Sequence, residues 1–178
     1  MSAADHDRYG DDKIRAILTR VKTIAMVGAS ANEARPSFLV LKYLASRGYE
    51  MFPVNPGLAG GAILGRPVFA SLAAIPHAID MVDIFRNSEA AGAVVDEALA
   101  MSPLPKFIWM QLTVRNDAAA ERAEAMGVEV IMNRCPKIEY GRLSGEIGWS
   151  GVNSRVLSSR KLAAGAGGQR LDLGPRKS

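Results

Sequence analysis

The sequence predicts a single α/β domain, doubly wound around a mostly parallel sheet, and three observations predict it. Apolar runs of strand length alternate with stretches of helical spacing along the chain, the pattern of parallel strands joined by helical crossovers. The first run, Thr23 to Gly28, is continuously apolar rather than alternating, as a strand buried on both faces requires. A length of 178 residues with 48% apolar content suits one compact core.

Taken in order, Asp11 to Arg20 reads as a helix, with Asp11 and Asp12 in its first turn and Ile14, Ile17 and Leu18 at helical spacing. Strand Thr23–Gly28 follows. Pro36 opens a helix that runs to about Arg47 and stops at Gly48. Tyr49 to Val54 is a second strand, closed by the turn residues Asn55, Pro56 and Gly57, and Pro53 is expected at its end because proline cannot donate to a ladder. The glycine-rich stretch from Leu58 to Pro76 has room for a short strand near Pro67 and a helical turn near Ser71. Ile79 to Phe85 is a strand, and Ser88 to Met101 a helix with Ser88 as its expected N-cap. Lys106 to Met110 is a strand. Asn116 or Asp117 caps an alanine- and glutamate-rich helix that Gly127 ends, and Val128 to Met132 is the last strand. The boundaries read from this are a domain over 11–148 and a flexible basic tail over 149–178.

The charge supports that division. The chain carries a net +4, but residues 151–178 hold six Lys and Arg against one acid, Asp172, while residues 1–150 hold sixteen against seventeen. The basic character therefore belongs to the tail. Its composition favours a solvated extension over attachment to nucleic acid, so nucleic acid is not an expected partner. No apolar run is long enough to span a membrane, and the acidic N-terminus is no signal peptide. One cysteine, Cys135, excludes an intramolecular disulfide and fits a reducing compartment, so a cytoplasmic location is expected. Trp149 offers either an edge cover or a contact in a homodimer. Met81, Met101, Met110, Met126 and Met132 lie in or beside apolar elements and read as core.

In open parallel sheets ligands sit beyond the carboxyl ends of the strands. The first loop there reads Gly28-Ala29-Ser30-Ala31-Asn32-Glu33-Ala34-Arg35-Pro36-Ser37. Its glycine permits a sharp turn, helix amides point at an anion, Ser30 and Ser37 add hydroxyls, and Arg35 adds a fork suited to phosphate. It is not the dinucleotide fingerprint, because Ser30 and Glu33 stand where the second and third glycines belong. Nor does an acid end the second strand, where Asn55 and Pro56 stand instead. A phosphate-bearing ligand is expected, and NAD is disfavoured.

In their order, the segments VGAS (Val27–Ser30), RPS (Arg35–Ser37), KYL (Lys42–Leu44), PVNP (Pro53–Pro56), VDIFRNSEAA (Val82–Ala91), WMQLTV (Trp109–Val114) and NRCPKIE (Asn133–Glu139) resemble the small coenzyme A-binding proteins with a Rossmann-type fold. These are similar to the CoA-binding domain of the succinyl-CoA synthetase alpha subunit. The resemblance runs from about Ile14 to Arg142. It implies that Gly28, Ala29 and Ser30, with the turn through Arg35, Pro36 and Ser37, hold the pyrophosphate and the 3′-phosphorylated nucleotide. It also implies that Asn55-Pro56 and Phe85-Arg86 flank the adenosine, with Met110-Gln111 nearer the pantetheine.

The related synthetases need a phosphorylated histidine on a further domain. Here His6 lies in an acidic arm and His77 in a loop, and no His, Cys and carboxylate cluster suggests a metal. The expectation is reversible binding of CoA or a short acyl-CoA without chemistry. The alternatives are an NAD-dependent oxidoreductase or an acyl-CoA ligase-like subunit that needs a partner chain. Cys135, just past the last strand, reads in two ways. Arg134 beside it would lower its pKa and permit a mixed disulfide with CoA, or it packs as a small buried hydrophobe, the preferred reading.

Overall fold

The computed structural model describes residues 4–145. The expected tail and Trp149 lie outside the described residues. The elements are α1 (Asp11–Arg20), β1 (Thr23–Val27), α2 (Pro36–Ser46), β2 (Glu50–Val54), β3 (Ala62–Ile63), β4 (Arg66–Pro67), β5 (Met81–Ile84), α3 (Ser88–Leu99), β6 (Phe107–Met110), α4 (Asp117–Ala125), β7 (Glu129–Ile131) and α5 (Pro136–Leu143). Five strands form one parallel sheet in the order β2-β1-β5-β6-β7, and β3 pairs with β4 in a separate antiparallel hairpin. This is the doubly wound Rossmann-type architecture.

Each central strand is buried on both sides, which is why its residues are apolar without alternation. Ile24, Met26, Met81, Phe107 and Trp109 pack under α1, α2 and α5. Ala25, Val82, Ile84, Ile108 and Met110 pack under α3 and α4. Fully burying such a side chain contributes about 1.5–3 kcal/mol relative to leaving it in water. Trp109 is fully buried, and its indole N–H donates to the Arg134 carbonyl at 2.8 Å. Met126 is the methionine that departs from the core reading, at 50% exposed.

Two local expectations need correction, and some features were not anticipated. Asn87, not Ser88, caps α3, its Oδ1 accepting the Ala90 N–H at 2.8 Å. The Ser88 hydroxyl is instead engaged with the loop after β6, accepting the Arg115 N–H at 3.0 Å. Pro53 lies within β2, opposite Met26, and is tolerated because β2 is the edge strand of the five. The helix α5 was not expected; β4 is the short strand expected near Pro67, but its pairing with β3 in a hairpin was not, and that turn places Leu64 and Gly65 at φ 51° and 74°. The arm before α1 packs against the domain. His6 is 9% exposed, its Nδ1 is 2.9 Å from the Tyr9 hydroxyl, and that hydroxyl accepts the Met132 N–H at 2.8 Å.

Strand order positions the site. From β1 the chain crosses to β2 on one side and returns to β5 on the other, so a crevice opens between the carboxyl ends of β1 and β5.

Candidate functional site

A cleft of about 1030 Å³ lies at that reversal point. Small-molecule sites occupy roughly 300–1,000 Å³, so it suits a large ligand. Gly28 sets its inner edge. The residue has φ 88°, and a Cβ there would stand 2.2 Å from the Phe85 carbonyl oxygen. Only glycine allows β1 and β5 to turn away from the sheet this close together.

The first wall is the loop from Gly28 to α2. The Gly28 and Ala29 amides both donate to the Val54 carbonyl, at 3.0 and 3.3 Å, so they brace the loop against β2. In the first turn of α2 the Ser37 and Phe38 amides have no partner among the described residues, since Pro36 has none to give and the ladder begins with Leu39, which donates to Arg35 at 3.2 Å. Asn55 locks this wall to the neighbouring loop, its Nδ2 donating to the Ala29 carbonyl at 2.8 Å and its Oδ1 accepting the Gly57 N–H at 2.8 Å. Ser30 accepts the Asn32 N–H at 3.1 Å and so shapes the turn.

The second wall is the loop after β6, Gln111 to Val114. Thr113 adopts φ 69° and donates its N–H to Asn133 Oδ1 at 2.8 Å, while Asn133 itself sits at φ 54°. Val114 donates back to the Gln111 carbonyl at 2.9 Å and accepts the Asn133 N–H at 3.1 Å. Leu112 stands out from this wall, 41% exposed beside the cleft. Asn87 and Ser88 from the start of α3, and Cys135 and Ile138 from α5, complete the lining with Val40 of α2.

Of the residues expected at the site, Gly28, Ala29, Ser30, Arg35, Pro36, Ser37, Asn55, Phe85, Arg86 and Gln111 line this one cleft. Met110 does not, because it is fully buried in the layer under α3 and α4. Pro56 is absent from the lining and exposed in the turn after β2. Leu112, Thr113, Val114, Val40 and Ile138 were not anticipated. They carry no charge or special chemistry, so no residue-type signal marked them.

The electrostatics are one-sided. Arg35 and Arg86 line the cleft, the lining includes no carboxylate, and neither guanidinium has a hydrogen-bonded or ionic partner among the described residues. Beneath the floor, Asp83 of β5 is fully buried. It accepts a hydrogen bond from Gln111 Nε2 at 2.8 Å through Oδ1, while Oδ2 has no partner. Burial pushes its carboxyl up to about 7, against the opposing pull of the Gln111 bond. Burial likewise pushes the Cys135 thiol up to about 12. Arg134 does not activate that thiol, since its guanidinium lies 5.3 Å over the Tyr9 ring and donates to the Asn133 carbonyl at 2.8 Å. The structure therefore supports the packed reading of Cys135 over the reactive one.

The comparisons with known proteins point to one family. The CoA binding domain family matches residues 22–141. The chain is 38% identical over 128 residues to YneT of Bacillus subtilis (strain 168), an uncharacterized protein, covering 72% of this chain and 92% of that one. A hypothetical protein from Pyrococcus horikoshii OT3 superposes with a TM-score of 0.72 at 36% identity, covering 80% of this chain and 98% of that structure. A Thermus thermophilus protein superposes with a TM-score of 0.71 at 33% identity, covering 75% and 98%. The chain belongs to the CoA binding domain family.

Proposed function

We propose that this member of the CoA binding domain family reversibly binds coenzyme A, or a short acyl-CoA, in the cleft between the carboxyl ends of β1 and β5. The observation that carries the reading is the pair of unpartnered guanidiniums, Arg35 and Arg86, on a cleft whose lining has no carboxylate. Both are exposed and free of competing carboxylates, and the planar guanidinium fork is well shaped for phosphate oxygens. CoA carries a pyrophosphate and a 3′-phosphate, which match two cations and the unpartnered helix-start amides of Ser37 and Phe38. The uncharged wall of Leu112, Thr113 and Val114 suits the pantetheine, whose amides and methylenes need neutral polar groups and apolar contact.

Binding without chemistry is part of the proposal. The lining offers hydroxyls, amides and guanidiniums with no base beside them, and its one thiol, Cys135, is held protonated by burial. Thermal unfolding with CoA, acetyl-CoA, ADP and NAD side by side tests the ligand. A ligand at a hundred times its dissociation constant stabilises by about 2.7 kcal/mol, a shift of a few degrees for a domain of this size. A shift with CoA and acetyl-CoA that exceeds the shift with ADP is expected. A shift with NAD and none with CoA would overturn the proposal in favour of an oxidoreductase.

A further inference from the structure

The established family reading leaves one buried group without a role. Asp83 is fully buried at the centre of the sheet, between Met26 of β1 and Trp109 of β6 in register, yet one of its carboxyl oxygens has no hydrogen-bond partner. Its single bond is to Gln111, which is 6% exposed and lines the cleft. A buried carboxylate with one neutral donor is a poor arrangement for a charge and a tolerable one for a carboxylic acid. The amide of Gln111 is two-faced. While its N–H points down to Asp83, its carbonyl oxygen is the end left for the cleft.

We propose that Asp83 takes up a proton when the phosphate-bearing ligand binds, and that this proton reverses the Gln111 amide so that its N–H groups face the ligand. The inference rests on the cleft being the CoA site. The balance is simple. One proton passes from solvent to Asp83 Oδ1, the carboxylate becomes a neutral acid, and its O–H donates to the Gln111 carbonyl oxygen. The amide turns by half a revolution about its terminal torsion, which is broad and roughly two-fold. Two effects then act in the same direction. A negative charge is removed from below a ligand that is itself negative, and the donor end of an amide dipole replaces its acceptor end at the ligand. Oδ2 remains without a partner, but on a neutral group that costs less.

The surroundings leave Asp83 as the group that titrates. From the start of α5, the Cys135 thiol senses the Asp83 charge and is itself held protonated by burial, and Lys137 acts on that thiol. In the layer that covers this face, α1 contributes Ile14, Ile17 and Leu18, and α2 contributes Val40, Leu41 and Leu44, none of them ionisable. The ionisable member from α2, Tyr43, packs against the Tyr140 ring at 5.9 Å, with Lys137 Nζ 5.5 Å from its centroid. Asp83 titrates near neutrality, where a ligand can displace its midpoint.

Calorimetric titration with dephospho-CoA tests this, because that ligand lacks the 3′-phosphate whose own titration near pH 6 would interfere. Run at pH 7.5 in buffers of different ionisation enthalpy, the wild-type protein should take up part of a proton on binding, and its affinity should tighten as pH falls from 8.5 to 6. A displacement of the midpoint by one unit corresponds to a roughly tenfold change in affinity across that range. Asp83→Asn should bind with no uptake and a flat pH profile. The ¹³C resonance of the Asp83 carboxyl in the wild-type chain, followed from pH 5 to 9, should show a higher midpoint in the bound state, whatever the stability of the variant. Binding without proton uptake, uptake that survives in Asp83→Asn, or a carboxyl midpoint that does not move would each overturn the inference. Failure of both CoA and dephospho-CoA to bind at any pH would instead remove the CoA reading itself.

Discussion

Asp80 and Asp83 stand three residues apart, one just before β5 and one near its carboxyl end, and the fold surrounds them in opposite ways. At the amino end, Asp80 accepts the Lys22 N–H at 2.9 Å and the Thr23 N–H at 3.3 Å, and Lys106 Nζ lies 2.8 Å from its other oxygen. Burial pushes that carboxyl up, but the Lys106 ammonium and the two amides outweigh it and hold it below the usual carboxylate range. At the carboxyl end, Asp83 has one amide, an orphaned oxygen and a pKa raised by burial. The contrast extends beyond these two residues. The amino end ties strands together with satisfied polar groups, while the carboxyl end keeps Asp83 Oδ2, Arg35 and Arg86 without partners. At the amino end polar groups are completed within the fold, whereas at the carboxyl end Arg35 and Arg86 are left for a ligand and Asp83 is left a buried carboxyl with a single donor.

The largest effect comes from adding bulk at the open end. Gly28→Ala places a methyl 2.2 Å from the Phe85 carbonyl on a backbone at φ 88°, and should cost on the order of 3 kcal/mol or more in chemical denaturation. The closed end should respond to loss of a partner instead. Asp80→Ala strands two amides and an ammonium and is expected to cost about 1–2 kcal/mol. If Asp80→Ala proves harmless, the amino end is not held as described.

The pH dependence should separate the two aspartates by sign. A lowered folded pKa, as at Asp80, contributes stability that is present above the unfolded value near 3.9 and disappears as pH falls through the folded one. A raised folded pKa, as at Asp83, contributes stability that is complete below that unfolded value and is lost as pH rises through about 7. Melting temperatures of Asp83→Asn relative to wild type should therefore climb between pH 5 and pH 8. A constant difference over that range would mean that Asp83 is ionised at both ends of it.

Much of this was legible in the sequence, and the exceptions have physical causes. The helix α1 and strand β1 show because apolar spacing and a stopping glycine act locally, and the first wall shows because Gly28 and Arg35 carry chemistry in their residue types. The second wall is built from Thr113 and Asn133 at positive φ, joined by a hydrogen bond twenty residues apart in sequence. No local pattern announces such a wall. The helix α5 hides because it buries Lys137 and Glu139 together with Ile138 and Tyr140, which erases the amphipathic period. Ser88 looks like a cap, yet the loop after β6 takes its hydroxyl and leaves capping to Asn87.

The central claim is that the open end binds the phosphates of CoA through Arg35 and Arg86. Its most direct test is a calorimetric titration of CoA into wild type and the Arg35→Ala, Arg86→Ala double variant, with the stability of each measured alone. Both side chains are exposed and unpartnered, so unliganded stability should stay within about 0.5 kcal/mol. The dissociation constant for CoA should rise by at least roughly tenfold, the loss of one or more charge-assisted contacts. Equal affinity in the two proteins would contradict the account, because the phosphates would then lie elsewhere.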